Sequence, residues 1–399
     1  MKSFFSLDPK LLFYGFTITF FASYGQTFFI SIYNLEIRSF YNLTDGQFGL
    51  IYALGTLASS FFLISFAKFI DYVDLRYYSL FISLGLAIAC FGMYVSFKSA
   101  VFLFFIIFGL RFFGQGAMSH AGETSMARYF GNDRGKAISI STFGGMIGVM
   151  LLPLIIVNLN NLIGWYNVWL VASLSILILF IPLLFVILKN QSNRHSIFSK
   201  SSENLINNKK WRTRDVFANK NFYIYLPITI ATPFISTGLT FHQIFIINQK
   251  AWTLEMLANG YIFFGIFSII GLIIGGPIVD KYKAKKIITY TLIPIYLAIL
   301  ILIFFDNYLF MFIYMASLGF NIGIGSPIIG SLWAEIYGLE SIGTVKALLH
   351  ACMVFFSAIS PVIFGFMIDF GLGLLSLCIL SFLIMIISTL LPILFKDIK

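Results

Sequence analysis

The chain has 399 residues, 59% of them hydrophobic and only 11% charged, with a mean hydropathy of +0.93. Soluble domains run to about 45–50% apolar and about 25% charged residues, so a soluble globular protein is excluded and a polytopic membrane protein indicated. The formal net charge of +10 would suit nucleic acid or an anionic surface, but its distribution along the chain gives it another meaning.

The N-terminal MKSFFSLDPK leads directly into an apolar stretch from Leu11 to Tyr33. That stretch exceeds the roughly 7–15 apolar residues of a signal peptide and no small-residue cleavage site follows it, so it reads as a retained first span. A helix needs about 20 apolar residues to cross a bilayer. On that criterion spans are predicted at 11–33, 47–67, 78–97, 100–121, 137–158 and 168–188, then at 221–247, 258–279, 287–305, 308–333, 345–368 and 372–395. The expected fold is an all-α membrane protein of twelve transmembrane helices in two six-helix bundles, residues 1–188 and 221–399. Between them, 189–220 is rich in Ser, Asn and Lys and reads as a solvated cytoplasmic linker.

With the N-terminus placed inside, 22 of the 26 Lys and Arg fall on the cytoplasmic side; Arg38, Lys98 and Lys250 lie opposite and Arg111 within the membrane. That asymmetry puts both termini in the cytoplasm, the inner membrane being the site if the source is bacterial. The basic balance is therefore a topology signature, and no nucleic-acid partner is expected. Cys90, Cys352 and Cys378 stand singly in apolar runs and imply neither disulfides nor a metal site.

The halves repeat. Ala67 and Asp71 correspond to Gly276 and Asp280 at an offset of 209, Pro153 to Pro361 at 208, and Gly131 to Gly338 at 207. Internal repeats of this kind mark transporters whose halves rock about a site at mid-depth.

With these features the chain resembles the major facilitator superfamily over essentially its whole length. That superfamily carries a G-x-x-x-D-x-x-G-x-[RK] loop after its second span and a degenerate copy after its eighth. Ala67, Asp71 and Arg76 fill three places of the first copy, with Asp74 at the second glycine position; Gly276, Asp280 and Lys285 fit the second copy, with Lys283 at that position. The resemblance implies that the aspartate sits at a helix N-terminus while the basic residue pairs with an acid ending the fourth or tenth span. The expected cytoplasmic gate networks are Asp71–Arg76–Glu123 and Asp280–Lys285–Glu335, the alternative being simple helix-end charges. Within the superfamily, RYFGNDRGKAISISTFGGMIGVMLLP is similar to the fifth span of monocarboxylate and oxalate–formate porters. Those porters bind carboxylates through cations in the eighth and eleventh spans. Here the eighth has no charged residue and the eleventh has Lys346 and His350, which read as a cytoplasmic rim.

Arg111 is the charge that composition leaves unexplained. A guanidinium at the bilayer centre costs roughly 2.5–3.5 kcal/mol on insertion scales and marks function by default. Gln115, Ser119 and Glu123 follow it at intervals of four, one drifting helical face. The sixteen acids lie in loops or near span ends, none at mid-depth opposite Arg111, and the repeat-equivalent region has the neutral Asn321. A desolvated cation with no fixed partner invites an anionic ligand. The alternative is that Arg111 braces the bundle by bonding carbonyls or tyrosines of the first span. Further substrate-lining candidates are Tyr24, Gln26 and Thr27 beside Ser23 in the first span, and Ser236, His242 and Gln243 in the seventh. Pro233 marks an expected bend in that seventh span, and broken helices line many transporter sites. His242 is a candidate proton carrier, or else a neutral histidine bonded at the outer end.

The leading expectation is a monomeric secondary active transporter for a small solute, such as a carboxylate, using alternating access with proton coupling or exchange. A proton-coupled exporter of drug-like compounds also fits, as does a sensor that binds without translocating. An enzyme would need a nucleophile–base pair or metal cluster that four scattered histidines and three single cysteines do not supply, and no cofactor is implied. No nucleotide-binding loop is present for an ATP-driven pump.

Overall fold

The computed structural model describes residues 8–130, 133–189, 191, 213–338 and 342–395. Gly131, most of the 189–220 linker, and Lys2, Glu340, Lys396 and Lys399 lie outside the described residues. The described chain is almost wholly helical, as it must be where no water can satisfy backbone groups.

In the first half the helices are α1 (Pro9–Ala22), α2 (Thr27–Ile32), α3 (Asn34–Tyr41), α4 (Asp45–Phe66), α5 (Leu75–Val95), α6 (Ala100–Gly109), α7 (Ser119–Tyr129), α8 (Arg134–Ile163), α9 (Trp165–Leu174) and α10 (Ile181–Ile187). The second half has α11 (Thr213–Ala218), α12 (Lys220–Phe241), α13 (Gln243–Gln249), α14 (Leu254–Tyr282), α15 (Ala284–Ile287), α16 (Ile293–Phe304), α17 (Leu309–Tyr337), α18 (Ile342–Asp369) and α19 (Leu374–Leu394). Wide π-helical turns at Leu110–Met118 and Ser175–Phe180 join α6 to α7 and α9 to α10 without ending the helix.

Eleven of these stretches are long and apolar enough to cross a membrane. The first span makes the twelfth, divided by a 3-10 turn at Ser23–Gly25 and an extended Gln26 (ψ 155°) into α1 and α2. Capping side chains set several starts. Asp8 accepts from the Leu11 amide at 3.0 Å ahead of Pro9, and Thr253 from the Met256 amide at 3.2 Å. Gly164 and Gly338 close α8 and α17 at φ +78°, a left-handed conformation in which a side chain is strained.

The chain divides into two compact units, residues 1–42 with 51–206, and residues 43–50 with 207–399. The head of α4 thus groups with the second unit and the rest of that helix with the first. Inside the first unit α1 packs on α8, where Thr19 donates to the Ser141 carbonyl and the Ser141 hydroxyl donates to the Gly15 carbonyl at 3.1 Å. Inside the second, α14 and α17 approach closely through small residues; a Cβ on Gly271 would stand 2.8 Å from the Phe320 carbonyl oxygen.

Candidate functional site

Arg111 lies on the first turn of the π-helical stretch Leu110–Met118 and is only 3% exposed. Its Nε donates to Thr56 Oγ1 at 3.1 Å, and Nη1 donates to the Gly25 carbonyl at 3.2 Å and to Thr27 Oγ1 at 3.3 Å. The guanidinium carbon stands 5.0 Å from the centroid of the fully buried Tyr52 ring, whose hydroxyl lies 2.6 Å from Thr27 Oγ1. The broken first span and the arginine thus form one construction. Interrupting the helix frees the Gly25 carbonyl from the regular ladder, and the cation supplies its donor.

Two glycines permit the approach. A Cβ on Gly25 would run into the Leu110 carbonyl, and one on Gly114 would lie 2.7 Å from the Gly25 Cα. Widened π turns recur at functional sites, and this one brings the helix backbone against the break. Arg111 is therefore partly engaged by the protein rather than bare. Nε and Nη1 are engaged by the first and second spans, as in the bracing alternative, with the ring of Tyr52 from the second span, rather than a first-span tyrosine, against the guanidinium. Nη2 has no acceptor, and no carboxylate pairs with Arg111, among the described residues.

The other first-half candidates divide. Thr27 joins the arginine directly, while Tyr24 turns aside to Ser175, hydroxyl to hydroxyl at 2.9 Å. Gln26 and Gln115 are half-buried, and their side chains have no hydrogen-bond partner among the described residues. Tyr52 and Thr56 are missing from the sequence-level list, because one tyrosine and one threonine in an apolar run give no signal until the α4–π crossing is known.

In the second unit, Gln243 accepts from the Tyr261 hydroxyl at 2.6 Å and Asn321 Nδ2 donates to the Thr291 carbonyl at 2.7 Å. Asn321 Oδ1 and Ser236 Oγ are buried without a hydrogen bond among the described residues. His242, 1% exposed, places Nε2 2.9 Å from the Pro361 carbonyl. At Pro233, where a bend is expected, α12 runs without a break from Lys220 to Phe241 with Pro227 and Pro233 inside it.

The structure draws the two charge networks differently from the expected triads. Arg76 is held by Asp74, its neighbour two residues back, at 2.9 Å, while Asp71 pairs with Arg128, which also donates to the Ile70 carbonyl at 2.9 Å. Asp74 caps α5 beside Arg76, so the nearest acid captures the guanidinium. Glu123 is exposed and without a partner among the described residues. In the second copy Glu335 accepts from the backbone amides of Ala284 and Lys285, at 2.7 and 3.1 Å, rather than from the Lys285 ammonium. The acid of the tenth span, not Asp280, sits at the N-terminus of α15. Asp280 is exposed and has no partner among the described residues.

Residues 15–361 match the family model described as Major Facilitator Superfamily. The chain belongs to that superfamily. It is a multi-pass membrane transporter with the major facilitator fold, and not an enzyme. Its structure is similar to one described as a bacterial homologue of the human lysosomal transporter Spinster, in an inward-facing and unoccupied conformation. The TM-score is 0.69 at 13% identity, covering 96% of both chains. At that identity the likeness speaks for the major facilitator fold alone. No curated protein sequence matches the chain.

Proposed function

We propose that this major facilitator carries a small organic anion, such as a carboxylate, by alternating access, and that Arg111 recognises its charged group. The observation that carries the reading is a buried guanidinium with one nitrogen, Nη2, lacking an acceptor and no carboxylate to answer its charge among the described residues. A carboxylate bound there supplies acceptor and counter-charge together, the stronger class of hydrogen bond. Thr27 bonds the guanidinium and Tyr52 holds its plane, with Gln26 and Gln115 near them in sequence. The six-helix halves 1–188 and 221–399, joined by 189–220, are the parts that move, driven by protons or a counter-solute. Both termini lie in the cytoplasm and the protein works as a monomer, in the inner membrane if bacterial. The loop pairs Asp71–Arg128, Arg76–Asp74 and Glu335 with the 284–285 amides brace the cytoplasmic ends.

Thermal unfolding of the purified protein against small organic acids, amines and nucleosides tests the assignment. A ligand at a hundred times its Kd adds about 2.7 kcal/mol, a readily measured shift. Organic acids stabilise the native protein and leave Arg111→Gln unmoved. Stabilisation confined to neutral or cationic compounds overturns the reading.

A further inference from the structure

The turn from Asp280 to Lys286, between α14 and α16, gathers cations that the chain does not answer. Lys281, Lys283, Lys285 and Lys286 are all exposed, and none pairs with a carboxylate among the described residues. Glu335 does not neutralise them side chain to side chain, since its two oxygens accept from the Ala284 and Lys285 backbone amides at 2.7 and 3.1 Å. Asp280, also exposed, is the turn's own acid. Counting both acids, the four lysines leave an excess of two positive charges. The loop copy in the first unit is built the other way. Arg76 is held by Asp74 and Arg128 by Asp71, and Lys68 is its one cation without an acid among the described residues. Four unanswered ammonium groups within six residues repel one another and attract anions.

Apolar exposure fixes the depth of this turn. Ile273 and Ile274 of α14 and Ile293 and Leu297 of α16 are exposed on membrane-spanning stretches, so lipid tails cover them. Tyr282 and Tyr290, exposed as well, stand closer to the lysines along the chain, and such amphipathic rings collect at headgroup level. Lys281 Nζ lies 5.0 Å from the Tyr282 ring centroid, which keeps one ammonium beside its aromatic neighbour. The backbone beneath the lysines is braced. The Lys283 amide donates to the Val279 carbonyl at 3.0 Å as α14 closes, and Glu335 holds the next two amides. The cations therefore stand on a fixed turn at the bilayer surface, and a ligand that meets them orders little backbone on binding.

We propose that the 280–286 turn binds the phosphate headgroup of an anionic phospholipid, with Lys281, Lys283, Lys285 and Lys286 supplying the charge. Basic clusters at the end of a membrane span attract anionic headgroups, and lysine serves a phosphate as a compact point charge. The flanking surface selects a lipid over a soluble anion. A soluble phosphate gains the charge alone, whereas a phospholipid gains the charge and lays its chains against Ile293 and Leu297. Glu335 is the positioning residue, because it fixes the turn without using up the ammonium groups. Bound lipid supplies the counter-charge that Asp74 and Asp71 supply in the first copy. The site lies wholly within the second unit and does not depend on the anion assigned to Arg111.

Native mass spectrometry of the full-length protein released from micelles tests it, with phosphatidylglycerol and phosphatidylcholine of matched chains supplied at equal concentration. The native protein retains phosphatidylglycerol in preference by about tenfold or more. Combining Lys281→Gln, Lys283→Gln, Lys285→Gln and Lys286→Gln brings that preference to about twofold or less. Combining Lys10→Gln, Lys68→Gln, Lys189→Gln and Lys220→Gln removes as many exposed ammonium groups elsewhere and keeps it. Arg111→Gln keeps it too, so the lipid result and the ligand screen on Arg111 stand or fall separately. Equal retention of the two lipids by the native protein overturns the proposal. An equal loss in the second lysine set does so as well, by tracing the preference to overall charge, and a loss in Arg111→Gln does so by placing the lipid elsewhere. Displacement of phosphatidylglycerol by glycerol 3-phosphate at comparable concentration would assign the turn to a soluble anion and overturn the lipid.

Discussion

The seventh span carries two prolines, Pro227 and Pro233, inside one uninterrupted helix, while the first has no proline beyond Pro9 and is interrupted at Ser23–Gln26. These spans open the two repeats, and the interruption does not follow the prolines. A proline removes one amide donor and crowds the preceding turn, yet in a membrane the released carbonyl finds partners on neighbouring helices and the helix continues. A real interruption frees several backbone groups at once and needs a donor positioned to receive them. The first half has that donor in Arg111, aimed at the Gly25 carbonyl. The position in the repeat holds Asn321 in the second half, which donates to Thr291 and leaves α17 unbroken. What breaks a membrane helix is decided across the bundle, by who satisfies the freed carbonyl.

Removing the donor gives the largest expected effect. Arg111→Ala strips both hydrogen bonds of Nη1 and the bond to Thr56, and should lower stability by about 3 kcal/mol, hydrogen bonds to charged groups being worth roughly 1.5–3 kcal/mol each. Flux into proteoliposomes should fall about 100-fold or more, as loss of a charge-assisted contact to substrate implies. Arg111→Lys keeps the charge without the planar fork and should fall between the two. An Arg111→Ala protein with native melting and native flux would show that the first span holds its break unaided.

Next in size is the crossing itself. Gly25→Ala or Gly114→Ala forces backbone apart and should cost about 1–3 kcal/mol, the usual range for overpacking. Gly276→Ala meets nothing within 4 Å and serves as the neutral control. Equal melting temperatures for all three would mean that the close approach is not what positions Arg111.

Much of this architecture was legible in the sequence because the bilayer imposes it. Stretches of apolar residues long enough to span, and a repeat offset near 209, determine helix number and kinship before any side chain is placed. Arg111 was legible as an anomaly, since charge in an apolar run has few explanations. Its partners were not. Thr56 and Tyr52 come from another helix, and the π turn that carries the arginine has no residue signature separate from an α-helix. The loop charges were legible as a set but not as pairs, because Asp71, Asp74, Arg76 and Arg128 lie within reach of one another and only the helix-end geometry decides who meets whom. Asp45 and Asp369 read as ordinary interfacial acids until α4 and α18 are brought together.

A smaller effect tests the second form of the contrast, the two copies of the loop. Lys283 occupies the motif's glycine position at φ +61°, whereas Asp74, its counterpart, stays at φ −55° as a helix cap. The second copy keeps the glycine conformation without the glycine, a strain of about 1–2 kcal/mol for a residue with a side chain. Lys283→Gly should therefore raise the unfolding free energy by about 1 kcal/mol in thermal melts, and a decrease would mean that the lysine makes compensating contacts.

Pro233→Ala is expected to do least, and for that reason it sharpens the comparison most. The substitution restores an amide to a helix that is already continuous and leaves the α12 path unchanged, so stability should move by less than about 0.5 kcal/mol. Flux should stay native as well, because among the described residues no arginine bonds a carbonyl of α12 as Arg111 bonds that of Gly25. The two readouts must be taken together. A native melting temperature with flux reduced tenfold would mean that α12 bends during the cycle and that Pro233 is the hinge. The two repeats would then break their opening helices at different moments rather than one alone. Native values in both place the working interruption in the first span, where the arginine holds it open.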